Sequence, residues 1–296
     1  MKSILRFLPL AFLVMVLSAC TSIGGGGIGF GDVMQLGEAG SKVVQAEQTE
    51  FTPEQEYYIG RAVAANILST RKAYDNRSAT DYLNVLERAL AVYSDRPDTF
   101  GGYHVLIMDS DEINAFSAPG GLILVTRGLL RCATNEDGVA AILAHETSHV
   151  VLKHGLNAIK QARKTAAFQN LAVTAANTAG GSNVRELTDI FKDSIADITN
   201  TLVNNGYSRD LEFQADQMAL VIMRRAGYDP RAFEAMLKVM ETKLKPGGLD
   251  FAKTHPDPKD RIAQVDKTLA GQMSVAASPD ALAARQARYQ AALGGI

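Results

Sequence analysis

His145-Glu146-Thr147-Ser148-His149 is the stretch from which the rest of the chain can be read. On a helix, H-E-x-x-H sets two imidazoles one turn apart, with Cβ atoms about 5–6 Å from each other, so both reach one ion. Glu146 then lies where it can reach a water in the ion's open position, which is the layout of a zinc hydrolase. The flanks predict that helix. Thr134 stands as a cap with Asp137 three residues on, Val139, Ile142, Leu143, Val150 and Leu152 form an apolar stripe, and Gly155 is the stop. His154, one turn beyond His149, reads as structural, at a helix end where the dipole favours a cation.

A zinc site of this kind takes a third protein ligand from another element, so that the tetrahedron closes with one position left for water. Glu212 is the candidate. It lies in Tyr207-Ser208-Arg209-Asp210-Leu211-Glu212-Phe213-Gln214-Ala215-Asp216, which runs into Met218, Leu220, Val221 and Ile222 and ends at Gly227. This predicts a second buried helix with Glu212 and Asp216 on one face, four residues apart. One carboxylate of such a pair can bind the ion while the other accepts the far N–H of a zinc histidine.

Ile113-Asn114-Ala115-Phe116, Pro119-Gly120-Gly121, the H-E-x-x-H helix, Glu212-x-x-Ala215-Asp216 and Thr254-His255-Pro256 together resemble the CaaX prenyl protease-like zinc metallopeptidases. Within that family the chain looks like the soluble bacterial periplasmic lipoprotein members, over roughly residues 50–270. Several motifs in the right order are far more specific than one pentapeptide. The resemblance implies an α+β, mostly helical zincin-type (gluzincin) domain, with a small three-stranded sheet beside the H-E-x-x-H helix. It implies an endopeptidase holding one Zn2+ per chain through His145, His149 and Glu212, with Glu146 as general base. Asp216 would orient a zinc histidine, and Asn114 and Ala115 would lie on the strand that binds substrate. His255, with Arg261 six residues later, would face the metal from across the cleft. Two roles are open to His255: donating to the oxyanion of the tetrahedral intermediate, or taking the fourth zinc position in a resting state.

The amino terminus reads as a bacterial lipoprotein signal. Lys2 and Arg6 precede an apolar run from Phe7 to Leu17, and Leu17-Ser18-Ala19-Cys20 is a small-residue cleavage site ending in cysteine. That run is too short to span a bilayer, which takes about 20 residues. The expectation is a signal peptide over residues 1–19, lipid on Cys20 as a membrane anchor, and a glycine-rich tether to residue 50. Thr21 stands where an inner-membrane retention signal has Asp, which by resemblance to Gram-negative lipoproteins implies the periplasmic face of the outer membrane. With 47% apolar and 21% charged residues and a net charge of −2, the chain has ordinary globular usage, and nothing in it is basic enough for nucleic acid. Cys132 is then the one other cysteine, read as small and buried.

Elsewhere the pattern is mostly helical. Thr52-Pro53-Glu54-Gln55 caps a helix to about Ser69, and a second runs from Thr80 to Ser94. Tyr103 to Met108, Asn114 to Ala118 and Gly121 to Val125 read as strands whose exposed edge can add an extended peptide. Residues 157–205 are too polar for membrane spans and read either as a lid over the cleft or as a helical excursion packed on the core. Further helices are expected from Asp229-Pro230 to about Lys243 and from Arg261 to Leu269. The metallopeptidase domain thus covers residues 51–270, and residues 271–296 form an alanine-rich C-terminal helix capped by Ser278-Pro279-Asp280. The main expectation is an envelope endopeptidase acting on unfolded or misassembled envelope proteins. The rival is a proteolytically silent zinc lipoprotein acting as a chaperone or assembly factor. No feature of the sequence specifies an oligomer.

Overall fold

The computed structural model describes residues 51–158, 160, 161, 199, 203, 206–244, 255, 257–271 and 275–296, all within one compact unit. The expected leader, Cys20 and the tether lie outside the described residues, as do most of 157–205, Thr254 and Pro256.

Helix α1 (Pro53–Thr70) opens with the expected capping box between Thr52 and Gln55. Helix α2 (Arg77–Ala91) starts three residues before the expected Thr80, because the Asn76 side chain accepts from Ala79 N at 3.0 Å. Strands β1 (His104–Met108), β2 (Ala115–Ala118) and β3 (Leu122–Thr126) follow in the order β1-β3-β2, with β1 parallel and β2 antiparallel to β3. Then come the short α3 (Arg127–Leu130), α4 (Glu136–Val151), α5 (Arg209–Arg225), α6 (Arg231–Lys243), α7 (Pro258–Leu269) and α8 (Pro279–Leu293). The described chain is therefore mostly helical with a small mixed sheet, as the resemblance implied.

The sheet divides two layers. Ile123 and Val125 of β3 join Leu83, Leu90, Leu143, Ile222 and Phe233 in the main core, while Leu124 between them packs with Ile59, Val63, Ile67 and Phe116 under α1. This alternation is the period of two that a strand imposes on its side chains. On the main-core side lies α4, buried at every residue from Glu136 to Val150. A helix enclosed on all sides holds its side chains to one geometry.

Both expected ends of α4 shift. Its cap is Asn135, whose side chain accepts from Gly138 N at 2.9 Å, one residue beyond Thr134. It ends at Val151, four residues before Gly155, because Lys153 takes φ 56° and breaks the helical path. Helix α5 stops at Gly227 as expected: Gly227 has φ 80°, and Tyr228 N donates to Met223 O at 2.8 Å, a left-handed C-terminal stop. Helix α7 begins at Pro258, earlier than Arg261, with Asp257 as cap. Helix α8 packs on the core: Arg288 and Arg285 bind Glu136 and Asp137 at the start of α4, and Leu293 is buried in the main cluster. Cys132 is buried and free.

Gly60 of α1 lies against Pro119, the residue that follows β2. A β-carbon there would stand 1.8 Å from Pro119 O, and overpacking of this kind costs about 1–3 kcal/mol. Gly60→Ala is expected to lower the melting temperature by roughly 5 °C, and thermal denaturation followed by circular dichroism checks it.

Candidate metal centre

Because α4 is enclosed, its two histidines can point only where its neighbours leave room, and they point at α5. His145 Nε2 and His149 Nε2 lie 3.1 Å apart. Glu212, in the first turn of α5, sets Oε1 at 3.4 Å from His149 Nε2 and Oε2 at 3.5 Å from His145 Nε2. Glu212 is fully buried and its Oε1 has no hydrogen-bond partner. His255, reaching in from the segment before α7, places Nδ1 at 2.6 Å from Glu212 Oε2. His145, His149, Glu212 and His255 each offer a ligand atom within 4.8 Å of the others, and they form the one such group among the described residues.

The separations among His145, His149 and Glu212 fit a metal ion, whereas His255 Nδ1 at 2.6 Å from Glu212 Oε2 is at hydrogen-bond distance. Tetrahedral bonds of about 2.0–2.1 Å to nitrogen and 2.0–2.2 Å to oxygen hold the donor atoms roughly 3.3–3.5 Å apart. Two imidazole nitrogens facing each other, beside a buried carboxylate oxygen that has no hydrogen-bond partner, form a donor set that a cation among them would satisfy.

The outer nitrogens of both rings are occupied. Asp216, one turn after Glu212, sets Oδ1 at 2.9 Å from His145 Nδ1. Arg261 of α7 grips Asp216 with two hydrogen bonds, Nε at 2.9 Å and Nη2 at 2.5 Å. All three groups are buried, so the guanidinium and carboxylate neutralise each other away from water. His149 Nδ1 meets His154 Nδ1 at 2.9 Å, and Tyr207 stacks on the His149 ring at 4.4 Å between centroids.

The charges alternate through this cluster. Burial disfavours the Glu212 carboxylate, but the electrostatic pull of His255 and His149 and hydrogen bonds from His145 and His255 hold its pKa well below the usual range. Burial likewise opposes Asp216, and the Arg261 charge overrides it, keeping Asp216 ionised below its ordinary value. Burial and Arg261 depress His145, yet its bonds to Asp216 and Glu212 prevail and lift it to about 9. His149 is pushed well below its ordinary value, chiefly by burial. Burial also takes His154 down to about 4, so it is a neutral buried ring and not the helix-end cation that its position suggested.

Glu146 stands beside the cluster without joining it. Its Oε2 accepts from the hydroxyl of Ser117 on β2, a contact between strand and helix that local sequence does not announce. Ala115 opens β2 and Asn114 immediately precedes it; both are buried, and β2 is one of the two edges of the described sheet, buried at all four residues in place of the expected exposed edge. The structure thus brings together His145, Glu146, His149, Glu212, Asp216, His255 and Arg261, with Ser117 and His154 as additional members. Hydrogen-bonding side chains on a strand and after a helix were the available signals for these two.

A helical domain with H-E-x-x-H on one buried helix and a glutamate on the next is a zincin-type metallopeptidase site. A sequence profile described as Peptidase family M48 matches residues 77–269, and the chain belongs to that family. It is 34% identical over 191 residues to the "Mitochondrial metalloendopeptidase OMA1" of Schizosaccharomyces pombe, covering 62% of this chain and 51% of that protein. It is 24% identical over 222 residues to the "Beta-barrel assembly-enhancing protease" of Escherichia coli (71% and 42% covered) and 26% identical over 216 residues to that of Yersinia pestis (70% and 42%). The chain spans about half, or less, of the length of these relatives.

Behind α4, Glu87 of α2 is fully buried against Thr147, with Oε1 at 2.6 Å from Thr147 Oγ1. The Thr147 hydroxyl also lies 2.8 Å from Leu143 O, so its single proton is shared between that carbonyl and the Glu87 carboxyl oxygen, both of which accept from it. Burial, with Glu146's charge adding to it, lifts Glu87 to about 8. Its unfolded value is near 4.5, so between these values the folded state holds the extra proton. The stability tied to that proton is full below pH 4.5 and is lost as pH rises to 8. The melting-temperature gain of Glu87→Gln over the parent should therefore grow steadily from pH 5 to pH 8; a pH-independent difference would contradict this.

Proposed function

We propose that this chain is a zinc-dependent endopeptidase of the cell envelope that hydrolyses misfolded or misassembled envelope proteins. The observation that carries the catalytic part is the donor set: two imidazole nitrogens and the two Glu212 carboxylate oxygens at 3.1–3.5 Å separations, Oε1 having no hydrogen-bond partner, with Glu146 alongside. Family membership supports peptide hydrolysis, and the printed names of the relatives are those of endopeptidases and proteases. The envelope part rests on the lipoprotein-like start of the sequence, with Cys20 as lipid anchor, and on relatives named for enhancing β-barrel assembly. No described helix is long and apolar enough to cross a membrane. Lipid on Cys20 would hold the chain at the outer membrane's periplasmic face.

His145, His149 and Glu212 would hold the zinc. When bound, it supplies Lewis acidity, making water a stronger acid and polarising a peptide carbonyl. Glu146 takes the water proton and delivers it to the leaving amine. The Ser117 hydroxyl holds Oε2 of Glu146, leaving Oε1 for that proton. Asp216 accepts the Nδ1–H of His145 and so keeps the Nε2 lone pair on the site, while Arg261 holds Asp216 in place. An extended substrate would pair along the edge of β2, with Asn114 and Ala115 at its start.

A second reading of His255 follows from its place in the four-residue cluster: it closes the fourth zinc position in the resting state and acts as a brake. Casein cleavage, with zinc measured in each variant, tests both. Glu146→Gln should keep its zinc and lose activity by roughly 10²–10⁴-fold, and His255→Ala should cleave faster than the parent. Unchanged cleavage in Glu146→Gln refutes the base assignment, and a fall in His255→Ala assigns His255 to the oxyanion.

A further inference from the structure

Lys153 is the one non-glycine residue among those described with positive φ, 56°. Its conformation is one that a β-carbon disfavours and a glycine accepts freely. The residue type therefore did not select this turn; it is held there by its surroundings. Lys153 Nζ lies 3.2 Å from Glu56 Oε1 of α1, a buried carboxylate also bound by Arg96.

The turn has one visible product. On a continuous helix, residues 149 and 154 would point about 140° apart, at 3.6 residues per turn, and their rings would not meet. Because α4 ends at Val151 and the chain turns at Lys153, His154 opens a new helical stretch and is not one turn further along α4. Its Nδ1 then meets His149 Nδ1 at 2.9 Å. Both histidines are buried, and Tyr207 covers the pair, stacked on His149 at 4.4 Å and tilted against His154 at 5.6 Å. An observed backbone outlier beside a polar cluster is where a positioning role is expected.

We infer that His154 is a positioning residue for His149, its Nδ1 accepting the Nδ1–H of His149 so that the His149 Nε2 lone pair stays on the metal site. Only one proton can lie between two Nδ1 atoms at this distance, and a ligand His149 must keep Nε2 bare, so the shared proton belongs to His149. His145 has a carboxylate in the equivalent place, Asp216, and His149 has a neutral imidazole. The inference rests on the metal-centre reading above and adds a residue to it.

The test is zinc affinity of the full chain, measured by competition with a chromogenic chelator, beside the melting temperature of the zinc-stripped chain. Asn carries an acceptor near the position of the histidine Nδ1, and Leu has the same branching without one. His154→Leu and His154→Phe should each bind zinc about 10–100-fold more weakly than the parent, with zinc-stripped melting temperatures like that of His154→Asn, which should keep most of the affinity. Lys153→Gly should bind zinc as the parent does. Equal zinc affinity in the Leu and Asn variants, which are matched in shape, overturns the inference even where the Phe variant does not fold. A parent that binds no zinc overturns the metal-centre reading, and this inference with it.

Discussion

Two imidazole nitrogens turned toward each other at 3.1 Å inside a closed protein core are the constraint on which the rest of this structure depends. Neither ring can rotate away, because α4 is buried along its length, and to bind a metal ion each would need its inner nitrogen bare. Each outer nitrogen must therefore be held from behind. That requirement brings Asp216 from α5 to His145, Arg261 from α7 to Asp216, and His154 from the turn after α4 to His149. Removing one partner from a buried pair such as Asp216–Arg261 typically costs about 3–5 kcal/mol, because the survivor is left charged and dry. The pair is thus better understood as fixing one arrangement than as adding net stability.

The same helix is also fixed at its start. Glu136 accepts from Tyr82 of α2, Tyr228 after α5, and Arg288 of α8, while Asp137 accepts from Arg285 and from Asp229 N. Acidic side chains belong at a helix N-terminus, where the backbone dipole favours them, and here they are also the points at which three other segments attach. Arg285 lies over the Tyr228 ring at 4.3 Å, joining α8 to the loop after α5. Helix α8 lies beyond the 77–269 span matched by the family profile, yet it closes on the start of the metal-site helix.

Local pattern made much of this legible. H-E-x-x-H within an apolar stripe placed two rings on one helix face, the four-residue spacing of Glu212 and Asp216 put both carboxylates on one face of α5, and the three strands matched their expected positions closely. What local pattern did not show were contacts between residues far apart in sequence. Ser117 reaches Glu146 across 29 residues, Glu87 reaches Thr147 across 60, and Arg288 reaches Glu136 across 152. The ends of α4 were misplaced for a related reason. Gly155 is the stronger local stop, but the tertiary contacts of Lys153 and His154 end the helix sooner. Asn135 and Thr134 are both good caps, and only the folded backbone distinguishes them.

The most direct test of the central claim is a crystal structure of the zinc-loaded chain with anomalous diffraction recorded at the zinc edge. The account predicts one zinc peak per chain, bonded to His145 Nε2, His149 Nε2 and Glu212 at about 2.0–2.2 Å, with Glu146 close by but not bonded. A peak elsewhere, or none among these four side chains, would contradict it.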